Sequence, residues 1–230
     1  MRLYGVLLQL PGVTAPHKTW QQWVAQSWHD TGWMVWPLSA TALIGIIVAA
    51  WKFFNLMAKA SRTRRILKEV DELLTQHRIR EALDLTRDTN APAARILYAG
   101  LERHEEGTER IMKAIENQGL LEMSKLEKGL VVLATVTNIA PLLGFLGTVL
   151  GMIIAFASIQ AAGEVEATAV AGGIKIALYT TAYGLMIAIP ISIAHNYFVS
   201  RIDALVIDME ESAQKMVDIL HAISSGKAVA

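Results

Sequence analysis

The 230-residue chain contains no cysteine, which excludes disulfides and thiolate metal sites. Charge is scarce as well. Only 18% of residues are Asp, Glu, Lys or Arg, against about a quarter in a soluble domain. Acidic and basic residues balance at 21 each, and no basic stretch carries interleaved aromatics, so nucleic acid is not an expected partner. Phosphate-loop chemistry is missing too. Gly144-x-x-Gly147 and Gly147-x-x-x-Gly151 lie in an apolar run with no Lys-Ser/Thr after them. His104-Glu105-Glu106 lacks the spacing that would put metal ligands on one helix face. No nucleophile–base pair is recognisable, and neither an enzyme nor a cofactor is expected. Gly5 to Leu10 is too short for a signal-peptide core.

What the chain does hold is apolar: 53% of residues are hydrophobic, and the charges that exist are concentrated in the middle of the chain. This is the pattern of an integral membrane protein with an aqueous domain. The expected fold is all-α, with three membrane-crossing helices extending into a charged helical domain. Residues 1–30 precede the first span; Trp20, Trp23, Val24, Ser27 and Trp28 fall at helical spacing, as in an interfacial amphipathic helix. Residues 31–57 form the first span, uncharged from Thr31 to Trp51 and bordered by Trp33, Trp36 and Trp51. Lys52, Lys59, Arg62, Arg64, Arg65 and Lys68 follow at once, which puts this end in the cytoplasm and the N-terminus outside.

Residues 58–128 read as a cytoplasmic helical domain. Apolar stripes fall at Ile66, Leu67, Val70, Leu73 and Leu74, at Ala82, Leu83 and Leu85, and at Ala94, Leu97, Tyr98 and Leu101. Pro92 starts one helix. Thr108 opens another that can run straight into the second span, although Gly119 and Gly129 weaken that continuity. Residues 129–163 would reach about 50 Å if wholly helical, so part of this run projects into the helical domain. The short acidic turn 164–172 suits the outside. The third span is 173–200, and an amphipathic tail, 201–230, returns to the cytoplasm.

The second and third spans each carry a face of small and hydroxylated residues. On the second it reads Thr137, Pro141, Gly144, Thr148, Gly151, Ala155, Ser158, with Gly147-x-x-x-Gly151 favouring close helix approach. On the third it reads Gly173, Ala177, Thr181, Gly184, Ala188, Ser192, His195, with Thr180 adjoining and Pro190 within the span. These hydroxyls either line a polar path or bond to carbonyls of their own helices. No Asp, Glu, Lys or Arg lies deep in any span, and Thr does not titrate near pH 7. If the protein moves protons, another chain must supply the acid. His195 reads as an interfacial, hydrogen-bonded residue.

Pro141-Leu-Leu-Gly144-Phe-Leu-Gly147-Thr148-Val-Leu-Gly151-Met resembles the second-span motif of the MotA/TolQ/ExbB proton-channel family. Ala177-Leu-Tyr-Thr180-Thr181-Ala-Tyr-Gly184-Leu, with Ala188-Ile-Pro190 and Asn196-Tyr197, resembles its third-span motif. The order of spans is similar to the ExbB and TolQ branch. The resemblance implies a homopentameric channel and stator subunit of an inner-membrane, ion-driven motor. It implies an ExbD- or TolR-like single-span partner that supplies a membrane Asp, and a TonB-like protein beyond it. Thr148 and Thr181 match the family's channel-lining threonines; Thr180, Thr137, Ser158 and Ser192 extend the same path. Gly144, Gly147, Gly151, Gly184, Pro141 and Pro190 are then packing residues. Many members carry Glu five residues before the third-span Thr, where this chain has Ile176. The ion implied is H⁺; Na⁺ is the alternative, because Thr180 and Thr181 add hard oxygen ligands. A non-conducting helical scaffold is the reading from a different class.

Overall fold

The computed structural model describes residues 32–163 and 167–224. The Trp-rich segment expected before the first span, the acidic residues Glu164 to Glu166 and residues 225–230 lie outside the described residues. All the regular structure described is helical. A 3₁₀ turn, Gly32–Met34, leads into α1 (Val35–Thr75). Then come α2 (Ile79–Asp88), α3 (Pro92–Leu101), α4 (Thr108–Glu127), α5 (Leu130–Ala162) and α6 (Ala167–Ser224). Three helices are long and apolar enough to cross a membrane, within Gly32–Thr75, Leu130–Ala161 and Val170–Ile223.

Helix boundaries differ from the sequence reading in three places. The second span does not continue from α4, because the chain breaks at Lys128-Gly129, where Gly129 has φ +89°. That conformation is open to glycine and costly for other residues. The region read as an external turn to residue 172 is already helical from Ala167. The third span and the tail form a single helix of 58 residues, since nothing between Tyr197 and Leu205 breaks a helix.

The chain divides into two compact units. One comprises Met1–Ala40 with Pro141–Leu185, the other Thr41–Ala140 with Met186–Ala230. In the smaller unit α5 and α6 are antiparallel: the facing position on α6 falls from Thr181 to Gly173 as α5 rises from Gly144 to Ala155.

The larger unit is built on a heptad-like seam. Ile66, Val70 and Leu74 of α1 are buried with Phe198, Ile202, Leu205, Met209, Ala213, Met216 and Leu220 of α6. These positions recur every three or four residues, so each helix buries one stripe. Ala82 of α2, Ala94, Leu97 and Leu101 of α3 and Ile111 of α4 join the same core. Leu130, Leu133 and Val136 at the start of α5 belong to it as well. Burying a Leu- or Ile-sized side chain contributes about 1.5–3 kcal/mol, and this long seam is the main source of the unit's stability. The α1–α2 corner is a Schellman turn: Arg78 N–H donates to Leu73 O and His77 N–H to Leu74 O, both at 2.9 Å. His77 occupies the left-handed position, φ +57°, that glycine usually fills.

Candidate functional site

The small-residue faces of α5 and α6 meet each other in the smaller unit. Gly144, Gly147, Gly151, Ala155, Gly173, Ala177, Thr180 and Gly184 are all buried. A Cβ added to Gly147 would lie 2.3 Å from both Cβ and Oγ1 of Thr180. One added to Gly151 would lie 2.7 Å from the carbonyl oxygen of Gly173, and one at Gly144 3.0 Å from that of Thr180. Backbone cannot step aside as a flexible side chain can, so the close approach depends on the missing side chains. Much of the stripe is therefore a packing seam within one chain.

The threonines divide according to their place on this seam. Thr180 has no exposed surface. Its hydroxyl donates to Ile176 O at 3.0 Å and Ala177 O at 2.9 Å, and its body fills the notch left by Gly147. Thr181 is half-buried and reaches across the pair, donating to Gly144 O at 3.1 Å. Thr148, one turn beyond Gly144 on the same face of α5, is also half-buried and donates to Phe145 O at 2.6 Å. Thr148 thus bonds within its own helix, whereas Thr181 joins two helices. Each spends its proton on a carbonyl and keeps oxygen lone pairs available as acceptors.

The remaining members of the stripes are dispersed. Ser158 is half-buried and donates to Ile154 O at 2.9 Å. In the larger unit Ala188 is buried, Ser192 and His195 are half-buried, and His195 Nδ1 lies 3.3 Å from Asn196 Oδ1. The Thr137 hydroxyl is buried without a hydrogen-bond partner. Four residues on, Pro141 has no N–H to offer the Thr137 carbonyl, and Pro190 likewise gives nothing back to Met186. His104 binds Leu101 O through Nδ1 at 2.9 Å. Among the described residues no three His, Asp or Glu side chains are grouped to hold a metal ion.

Lys52 is the residue whose place the sequence hides. Read as the first of the basic run that marks the cytoplasmic side, it is only 4% exposed. Its ammonium donates to the carbonyls of Leu126 and of Lys128, the latter at 2.6 Å. These carbonyls lie where α4 ends and lack helical donors, so Lys52 caps α4 at the Gly129 break and favourably meets the helix dipole. The only legible signal is the pairing of a cation directly after a span with a lone Gly after Lys128. A second buried polar cluster lies nearby in sequence. Glu122, with a side chain 3% exposed, accepts from Lys125 at 2.7 Å, Gln118 at 3.1 Å and Arg95 at 3.2 Å. Two cations and an amide satisfy this carboxylate, which marks it as a structural tie between α3 and α4.

Comparison with known proteins places these helices in context. Residues 88–211, which include α5 and the first half or more of α6, match the model of the MotA/TolQ/ExbB proton channel family. The chain is 30% identical over 202 residues to a putative biopolymer transport protein ExbB homolog of Methanothermobacter thermautotrophicus, covering 87% of this chain and 71% of that protein. It is 37% identical over 123 residues to the Tol-Pal system protein TolQ of Haemophilus influenzae, covering 54% of this chain and 53% of TolQ. It is 35% identical over 114 residues to the biopolymer transport protein ExbB of Aquifex aeolicus, covering 50% of this chain and 76% of that protein.

Proposed function

Because the chain belongs to the MotA/TolQ/ExbB proton channel family, in its ExbB/TolQ branch, we propose that it is the channel and stator subunit of an ion-driven motor. It is a multi-pass inner-membrane protein. In this reading five copies surround an ExbD- or TolR-like partner, and proton flow does mechanical work in the periplasm, such as energising TonB-dependent or Tol-Pal processes. The N-terminus is periplasmic and the C-terminus cytoplasmic.

The observation that carries the proposal is the α5–α6 pair. It presents two half-buried hydroxyls, Thr148 and Thr181, on helices whose apolar parts contain no Asp, Glu, Lys or Arg. Hydroxyls can solvate a carboxylate as it gains and loses a proton, but they cannot carry the proton by titrating themselves. A partner's membrane Asp completes the chemistry. H⁺ is favoured over Na⁺ because Thr180, the oxygen that would enlarge a cation shell, has no exposed surface. Exposed apolar side chains on α5, among them Leu142, Phe145, Ile153 and Phe156, supply surface for lipid and for neighbouring copies.

The test is proton uptake into proteoliposomes holding this chain alone, with its partner, or with a partner whose membrane Asp is Asn. Uptake should appear only with the native partner. Equal uptake by the chain alone would overturn the division of labour, and no uptake in any preparation would favour the scaffold.

A further inference from the structure

A groove of about 400 Å³ runs between α1 and α6 within the larger unit. Its lining changes character along the helices. Phe53, Leu56, Met57 and Phe198 make an apolar end; Ser61, Arg64 and Asp208 make a polar end, and Arg201 stands between them in sequence. From residue 53 to 64 the wall spans about 16 Å, enough to meet both a chain of methylenes and a polar head.

The groove lies at the depth where such a change of solvent occurs. The first span's uncharged run ends at Trp51, but Lys52 is turned inward. The outward face therefore stays apolar for just over one further turn: Phe53 is 42%, Phe54 71% and Met57 64% exposed. Beyond them come the outward cations Arg62 and Arg64 of α1, with Arg201 the first charge after the third span. A basic recess at this level is where lipid headgroups are met.

Charge is complementary to a phosphodiester. Arg201 makes no ion pair among the described residues; its Nε donates to the Tyr197 hydroxyl at 3.1 Å and its guanidinium lies 5.5 Å from the Tyr197 ring centroid. That contact fixes the guanidinium while leaving its terminal N–H donors available. Arg64 meets Asp208 only at 3.8 Å, and its side chain is 67% exposed. Two guanidiniums and one carboxylate line the groove, which leaves a single positive charge, and Arg is suited to bidentate phosphate contact.

We infer that this groove binds an anionic phospholipid of the leaflet on the basic side of the membrane. Its phosphate sits on Arg201 and Arg64, and an acyl chain lies along Phe53, Met57 and Phe198. This rests on α1 and α6 crossing a bilayer, not on ion conduction.

The test uses the full chain extracted in mild detergent and native mass spectrometry. Phosphatidylglycerol, phosphatidylcholine with the same acyl chains, and inorganic phosphate are the probes. Phosphatidylglycerol should be retained in preference to phosphatidylcholine, and millimolar phosphate should not displace it, because phosphate cannot use the apolar end. Arg64→Gln with Arg201→Gln should lower retention about tenfold, the loss of one or two charge-assisted hydrogen bonds. Ser61→Trp, which fills the groove at an exposed position without changing charge, should lower it too. Arg62→Gln, outside the groove, should leave it unchanged. Equal retention of the two lipids, displacement by phosphate, or undiminished binding in both groove variants would overturn the site. Ion flux is not read here, so the motor reading can fail while this one stands.

Discussion

Two buried polar residues, Lys52 and Thr180, and the half-buried Thr148 give the sharpest tests at single positions. Lys52 covers two carbonyls that α4 leaves without donors. Lys52→Met keeps most of the side chain's length but removes the donor from both carbonyls, at a cost of about 1–3 kcal/mol for each that stays buried. A lower midpoint of thermal unfolding in detergent, with the fold retained by circular dichroism, is the expected result. Thr180 and Thr148 should behave oppositely. Thr180 fills the Gly147 notch and bonds only to its own helix, so Thr180→Val keeps the packing and should leave proton uptake within about twofold of wild type, a change below 0.5 kcal/mol. Thr148 keeps an accessible hydroxyl. Replacing it by Val removes a hydrogen bond that would be worth about 1.5–3 kcal/mol to a charged partner group. Thr181→Val changes both the proposed path and the bond to Gly144 O, so it needs assembly measured alongside flux.

At the scale of helices, the α5–α6 hairpin depends on what its glycines lack. Gly147→Val would drive methyl groups into Thr180 on the facing helix, where a Cβ alone already meets atoms at 2.3 Å. Overpacking of this kind costs about 1–3 kcal/mol or more, and the variant should lose assembly, as judged by size-exclusion chromatography. The α1–α2 corner should respond in the other direction. His77 holds a left-handed φ of +57° at an exposed position, and His77→Gly should stabilise the protein by about 1 kcal/mol. Much of this element scale is legible in the sequence. Three- and four-residue spacing marks the stripes of α1, α3 and α6, and Pro92 marks a helix start. What the sequence conceals is which partner each stripe takes. A row of Gly, Ala and Thr reads alike whether it faces a pore or another helix of the same chain. Only the facing positions of Gly147 and Thr180 reveal the seam, and on them rests the proposal that Thr180 packs rather than lines the path. The sequence marks Gly129 as a weak point without proving a break, because one internal glycine costs a helix only about 1 kcal/mol. Its left-handed φ becomes necessary only once Lys52 is seen to cap the helix that stops there.

For the whole molecule, the proposed motor requires a defined topology and a partner that completes the ion path. The basic run after the first span, in the second half of α1, predicts that Arg80 faces the cytoplasm and Ala161 the periplasm. Because the chain has no cysteine, Arg80→Cys and Ala161→Cys can be tested with an impermeant thiol reagent on intact spheroplasts. Ala161→Cys should label and Arg80→Cys should not; the reverse would invert the topology. The most direct test of the central claim is partner-dependent proton uptake in proteoliposomes for Thr148→Val and Thr180→Val side by side, each with its oligomer intact by native mass spectrometry. The account predicts that Thr148→Val slows uptake about tenfold or more, from the lost hydrogen bond, while Thr180→Val conducts nearly as wild type. Wild-type uptake in Thr148→Val, or equal loss in the two variants, would contradict it.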